Sequence, residues 1–349
     1  MKIRVGAWRR TEAGGARDGR RPGERSGLHA AGAAFAVLMA VALAVALQPA
    51  NATAAGIKWQ PLTLQQALDR AKDKNEIVMI DVFSDHCGQC KDMDEGFWNT
   101  PEGAELGEDL IAIKIESDKP EGIPLHRRYP ILGLPAVIFL RPDGEEIGRV
   151  LGFRDRRDFI ADAQSLKSGI DPLPAMERAL AASPSNLAQI AAVLEQCLYR
   201  RREADAQKLL DRAMQVDKTR QSLDGLRALS SMAKYKEGFT GDKAGALALW
   251  KTIVEQYPTN MGVASGVSGS LKIAMAQGET DSWIDWICKI AEQYPGEGRL
   301  QYNVAIVAYH QGVGDPCLAK AARRAIAAKI GPPNMDSIAV VLEKPTRGK

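Results

Sequence analysis

Histidine and cysteine are both scarce, with four and five residues in 349. A tetrahedral zinc site takes four ligands, usually as two close pairs. Cys87 and Cys90 form the one C-x-x-C, and the chain has neither a second such pair nor an H-x-x-x-H. His86 with these two thiols leaves a metal site one ligand short. Methionine- or histidine-rich tracts are missing too, which weighs against a copper-handling protein, although two thiols beside His86 would suit Cu(I). Covalent haem attachment needs a histidine directly after the second cysteine, and Lys91 stands there. No metal and no cofactor is therefore expected.

A net positive charge is lacking once the first residues are set aside. Residues 1–29 hold eight Lys or Arg and three acidic residues, so removing that surplus of five takes the formal charge from +3 to −2. The basic balance belongs to the N-terminus, and no nucleic-acid partner is expected. Long apolar runs are also rare. The exception is the uncharged Ala- and Leu-rich stretch Ala30–Leu47, between a basic arm and the small residues ANATA. Residues 1–54 read as a secretory signal peptide cut near Thr53 or Ala55. The arm is unusually long, and a run of 18 residues is at the lower limit for spanning a bilayer, so an uncleaved inner-membrane anchor is the alternative. Export to the periplasm would place the cysteines in an oxidising compartment.

The chain beyond the leader is well patterned. TLQQALDRAKDKN predicts a helix with Thr63 and Gln66 as a capping box and Leu64, Ala67, Leu68 and Ala71 on one face. EIVMIDVFS is a nearly unbroken apolar run, the mark of a strand buried on both faces. A helix through about Trp98, the strand LIAIKIES, a short helical connection, the strand AVIFL, a Pro-Asp-Gly turn, the strand IGRVLGF and a helix over 155–166 complete an α/β domain spanning 57–168. GIDPLP, residues 169–174, breaks the pattern as a linker, and 55–168 is expected to fold alone.

Beyond it, from 175 to 331, only helical periodicity appears, with a tail over 332–349. IVEQYPTN returns as IAEQYPGE, placing Pro258 and Pro295 37 residues apart, with Pro184, Asp217 and Pro332 near the same phase. The spacing is similar to a tetratricopeptide-like all-α helical repeat, whose usual period is slightly shorter. An irregular bundle is the alternative.

The chemistry sits in DVFSDHCGQCKDMD, residues 81–94. With metal and haem set aside, redox exchange remains. The pair follows a buried strand and opens a helix, so Cys87 is expected exposed at the helix N-terminus with Cys90 one turn behind. Unpaired N–H groups there stabilise the Cys87 thiolate, making Cys87 the nucleophile and Cys90 the resolving thiol. Asp81 is costly to bury in mid-strand and lies under the active-site turn. It can act, through water, as the proton acceptor for Cys90, or it can simply face a polar layer at the sheet end.

DVFSDHCGQCK, the GLPAVIFL strand with Pro135 and the closing RPDGEEIGRVLGF resemble the thioredoxin superfamily over residues 60–168. Within it they are most similar to exported members of the thiol-disulfide interchange type. The resemblance implies an α/β thioredoxin-like domain followed by the helical repeats. It also implies a cis peptide before Pro135 facing the cysteines, Leu134 presenting its backbone to a substrate strand, and Asp81 as the buried acid. It further implies exchange with client protein thiols and disulfides, and a separate protein as electron donor. The sequence departs from the family at His86, where tryptophan is common, and places Gly88 and Gln89 between the cysteines, positions on which the potential depends. His86, if charged, would favour the thiolate, whereas Asp85, Asp92 and Asp94 would oppose it.

Cys197 and Cys288 lie on apolar helical faces and are expected as small core residues, with a Cys288–Cys317 disulfide as the lesser option. Trp250, Tyr257, Trp283, Trp286 and Tyr294 are expected to pack rather than to form a ligand cage. The leading function is a periplasmic thiol-disulfide oxidoreductase, in the reducing direction, with the helical repeats as a partner surface. A copper-handling protein and a non-enzymatic binding module are the alternatives.

Overall fold

In the computed structural model, the described residues are 56–153, 155–311 and 316–329. The expected signal peptide and the C-terminal tail lie outside them. Helix α1 (Leu64–Lys74) starts at Thr63, whose side chain accepts from the Gln66 amide while the Gln66 side chain accepts from the Thr63 amide. Its buried residues are Leu64, Ala67, Leu68 and Ala71, the face expected from the sequence. Asn75, in the left-handed conformation, ends it.

Strand β1 (Ile77–Phe83) pairs in parallel with β2 (Leu110–Glu116) and antiparallel with β3 (Ala136–Leu140), which pairs antiparallel with β4 (Glu146–Leu151). The sheet order β2-β1-β3-β4 buries β1 and β3 centrally, as their unbroken apolar runs require. Alternate residues feed two cores. Val78, Ile80 and Val82 pack with α1 and with Leu125 of α4 (Gly122–Arg128). Met79 packs on the other side with Met93 of α2 (Gly88–Met93), Phe97 and Trp98 of the π-turn that continues it, Leu106 of α3 (Pro101–Leu106) and Phe159 of α5 (Arg156–Lys167). Asp81 shares the parity of Met79 and so lies on the α2 side of the sheet.

The remainder is helical: α6 (Leu173–Ala182), α7 (Leu187–Tyr199), α8 (Glu203–Val216), α9 (Leu223–Tyr235), α10 (Lys243–Gln256), α11 (Val263–Gln277), α12 (Thr280–Gln293), α13 (Gly298–Gln311) and α14 (Pro316–Ala327). The sequence echo lands on structurally equivalent points: Ser183, Asp217, Tyr257 and Tyr294 are the C-caps of α6, α8, α10 and α12. The most extensive helix contacts are α7 with α8, α10 with α11 and α13 with α14, and α7 also meets α9 while α11 meets α13. Trp250, Tyr257 and Trp283 are buried packing residues, and the Trp283 indole donates to Ser270.

Cys197 is a buried free thiol whose pKa burial pushes up, which disfavours the thiolate. Cys288 differs from expectation. It is joined to Cys317 in a disulfide that ties α12 to α14. Helical periodicity placed Cys288 on an apolar face but carried no information on what stood opposite it.

Residues 169–174 form a packed corner. Asp171 accepts from Arg200 at 2.6 Å and from the Leu173 amide, and Leu173 is buried in the helical core. Pro172 stands so close over Gly148 that a Cβ there would lie 3.2 Å from its ring. Arg200 also donates to the Ile147 carbonyl of β4, and the Arg149 guanidinium lies 4.0 Å over the Tyr199 ring.

Candidate active site

The end of β1 and the start of α2 bring the cysteines together. Cys87 is the N-cap of α2, and its sulfur accepts from the Cys90 amide at 3.2 Å. This is the capping position, where unpaired helix amides meet an electron-rich acceptor. The pair is recorded oxidised, as a Cys87–Cys90 disulfide. Cys87 is partly exposed and Cys90 is buried, matching the expected order of access, while His86, Gly88 and Gln89 are all exposed.

The loop before the pair is pinned to the end of β2. Glu116, itself buried, accepts from the Asp85 amide, Ser84 donates to Asp118, and the His86 amide donates back to Ser84. Lys119 bridges Asp85 at 3.4 Å and Glu116 at 2.6 Å. These anchors come from a stretch that carries no redox signature, and they were not foreseen.

Asp81 is buried on the α2 side of the sheet, 2% exposed, and is linked through Lys114 to Asp94, which follows α2. Burial, the largest cause, pushes its carboxyl up from 3.8 to about 7, opposed by Lys114 and the Trp98 indole and assisted by the charge of Asp94. Lys114 occupies the facing position on β2, in register with Asp81. Its ammonium lies 3.4 Å from Asp81 Oδ2, forms a close ion pair with Asp94, and sits 4.6 Å over the Phe83 ring. Asp81 Oδ1 and Trp98 Nε1 are both buried and do not meet in hydrogen-bond geometry.

Lys114 is the site residue that sequence reasoning missed. The signal was present, since it is the one cation inside the apolar run LIAIKIE. It also revises the acidic surroundings expected for Cys87, because Asp94 is engaged by Lys114 and Asp85 is within reach of Lys119.

The Leu134–Pro135 peptide is cis. Pro135 is buried, and its carbonyl accepts from the Gly152 amide at 2.9 Å. Gly152, at φ +72°, adopts a conformation that favours glycine, and a Cβ there would stand 3.7 Å from the Gln89 side-chain oxygen. The cis-proline loop, the end of β4 and the exposed turn of α2 are thus neighbours. Among the described residues no group of three or more His, Cys, Asp or Glu could hold a metal ion, and no helix is long and apolar enough to cross a membrane.

Residues 64–165 match the model of a thioredoxin-like domain. Similar curated proteins are the thiol:disulfide interchange protein DsbD of Pseudomonas fluorescens, 32% identical over 104 residues (29% of this chain and 18% of the relative), and that of Cronobacter sakazakii, 35% identical over 117 residues (32% and 20%). The chain therefore spans only about a fifth of the length of these relatives. Among solved structures, the DsbD C-terminal domain of Neisseria meningitidis in its reduced form is 30% identical, covering 29% of this chain and 92% of that one, with a TM-score of 0.26. With the family match on residues that carry this sheet, this cysteine pair and this cis-proline, residues 64–165 are a thioredoxin-like domain, followed by an all-helical region.

Proposed function

We propose that this protein is an exported thiol-disulfide oxidoreductase that exchanges disulfides with client proteins through Cys87 and Cys90. The observation that carries the reading is the placement of a partly exposed Cys87 on the N-cap of α2, with Cys90 buried behind it and the buried acid Asp81 on the same side of the sheet. In the reducing direction, the Cys87 thiolate attacks a client disulfide, forming a Cys87–client mixed disulfide and releasing one client thiolate. Cys90 then gives up its proton and attacks the Cys87 sulfur. The Cys87–Cys90 disulfide forms, the second client thiolate leaves, and two electrons have passed to the client.

Asp81 is the acceptor of the Cys90 proton, directly or through one water. A carboxyl pushed up to about 7 can both take and return a proton near neutrality, whereas an ordinary aspartate is too weak a base. Lys114 holds the ionised form once it appears. Leu134, beside cis Pro135, offers backbone to the client strand, while His86, Gly88 and Gln89 form the exposed rim around Cys87. A separate protein reduces the pair again, and the helical region adds a partner surface.

Export is supported by the leader-like N-terminal sequence and by a second disulfide, Cys288–Cys317, distant in sequence from the reactive pair. The reducing direction rests on similarity to interchange proteins over this domain. The test is reduction of insulin by the purified chain with dithiothreitol. Cys87→Ser should abolish it, and Cys90→Ser should accumulate mixed disulfides with clients. Full activity in both variants would sink the reading.

A further inference from the structure

The loop Pro130–Pro135, which leads into β3 and carries the cis peptide, divides its side chains between two cores. Ile131 and Leu134 pack against the sheet core beside α1. Leu132, between them, is 7% exposed and belongs to the core of the helical region, with Ile190, Leu194, Leu229 and Met232. Its carbonyl accepts from Lys234 of α9 at 2.9 Å. Lys234 keeps surface in solvent, yet packing around its ammonium pushes its pKa down. The carbonyl two residues earlier is held as well: Arg149 of β4 donates to Pro130 O at 2.5 Å while stacked on Tyr199 of α7 and paired with Glu146 at 2.6 Å.

Two contacts therefore fix this loop directly against the helices, the Leu132 side chain and its carbonyl, and a third, Pro130 O on Arg149 of β4, is tied to them through the Tyr199 ring. Nothing in disulfide chemistry requires this arrangement, since Gly152 and β3 already support Pro135 from within the sheet domain. The side chain of Leu132 could have stayed in the sheet core with its neighbours. Its departure makes the position of the loop depend on α7 and α9.

We propose that the helical region is a working part of the exchange site: Leu132, with its carbonyl on Lys234, is a positioning residue that holds Leu134 and cis Pro135 where a client strand pairs with them. This rests on the oxidoreductase reading for its functional consequence, but its structural core does not. A client protein needs the loop backbone for docking, whereas a small aromatic disulfide needs only the Cys87 sulfur. Loss of the anchor should therefore separate the two substrates.

The experiment uses the full chain and four variants: Leu132→Ala, Lys234→Met, Lys234→Arg and, as a control, Leu210→Ala, which truncates a leucine of the same core on α8. Hydrogen exchange of amides 131–134 is expected to speed up in Leu132→Ala and Lys234→Met, to return towards the parent in Lys234→Arg, and to stay unchanged in Leu210→Ala. In parallel, KM for insulin should rise roughly tenfold in Leu132→Ala, the scale of one lost buried contact, while the rate with 5,5′-dithiobis(2-nitrobenzoate) holds. Unchanged exchange at 131–134 overturns the proposal whatever the activity. Equal effects of Leu132→Ala and Leu210→Ala, or equal losses with both disulfides, overturn it as well. A parent chain inactive on both disulfides, with the exchange pattern as expected, would instead remove the oxidoreductase reading and leave the loop anchor standing.

Discussion

Asp81 and Lys114 stand opposite each other in the parallel β1–β2 ladder, and the Lys114 ammonium reaches Asp81 Oδ2 at 3.4 Å. The lysine is shared with Asp94, so its help to Asp81 is divided, and burial still wins by pushing Asp81 up to about 7. Burial outweighs the opposing charge of Lys114, and the carboxyl titrates near neutrality.

Resolution of the mixed disulfide should therefore follow Asp81 ionisation, rising as pH passes through about 7. Asp81→Asn is expected to lower the single-turnover rate of that step by roughly 10²-fold and to flatten its pH profile. Quench-flow from pH 5 to 9 checks this. An Asn variant with the parent profile would show that Asp81 has no part in proton transfer.

Lys114→Met removes the cation that lowers the Asp81 pKa and also frees Asp94, whose charge raises it. Both changes act in one direction. The midpoint of the resolution profile should shift to higher pH, with the plateau rate largely kept. A shift to lower pH would mean that Lys114 influences the site by another route.

The same carboxyl makes stability depend on pH, and the sign is set by its raised folded value. Below about pH 4 both folded and unfolded chains hold the proton. Between that point and about 7 the unfolded chain gives it up while the fold retains it, so stability falls as pH rises and the full cost is present above 7. The shift from 3.8 to about 7 corresponds to roughly 4 kcal/mol. Asp81→Asn should thus match the parent near pH 4 and exceed it by up to that amount at pH 8, measured by denaturant unfolding. An Asn variant less stable at pH 8 contradicts this.

Much of this site was legible in the chain. Cys87, Cys90 and Asp81 announce themselves because a C-x-x-C at a strand-helix junction and an acid inside IVMIDVF both break their surroundings in a way that ordinary core packing does not. Lys114 did not, although it breaks LIAIKIE in the same way, because only strand register shows that the two interruptions face each other. The capping box at Thr63 was readable, since it is local in sequence. Glu116 and Asp118, which hold the Asp85 loop, act across 31 and 34 positions and look like ordinary strand-end acids. Cys288 failed for the same reason: its partner lies 29 residues away, and periodicity describes one face of one helix.

That second disulfide closes a loop long enough to restrict the unfolded chain appreciably. On the chain-entropy account, a closure across 29 residues contributes about 3–4 kcal/mol. Cys288→Ser/Cys317→Ser should therefore lower stability of the helical region by that order, read as a shift in denaturation midpoint. Exchange at Cys87 should continue, because the pair is carried by a different core. Loss of insulin reduction together with an unchanged midpoint would reverse both expectations.

The last prediction concerns the boundary at 169–174, which in sequence reads as a linker between separable domains. In the structure the sheet domain gives Leu132 to the helical core, packs Leu151 against it, and places Gly148 under Pro172. Arg149 is fully buried between Glu146, Pro130 O and the Tyr199 ring, and excision at 168 would remove the ring and open the pair to water. The excised domain should then be less stable than the same residues in the full chain, and the full chain should unfold with the sheet and helices coupled. Arg149→Met in the full chain leaves the Glu146 carboxylate buried and unpaired, at a cost of about 3–5 kcal/mol, and Glu146→Gln added to it should recover part of that loss. Denaturation followed by Trp98 fluorescence, with the other tryptophans replaced by phenylalanine, reports the sheet domain alone. If its midpoint is the same with and without residues 169–349, the interface contributes nothing to folding and the segment is a linker in the thermodynamic sense as well.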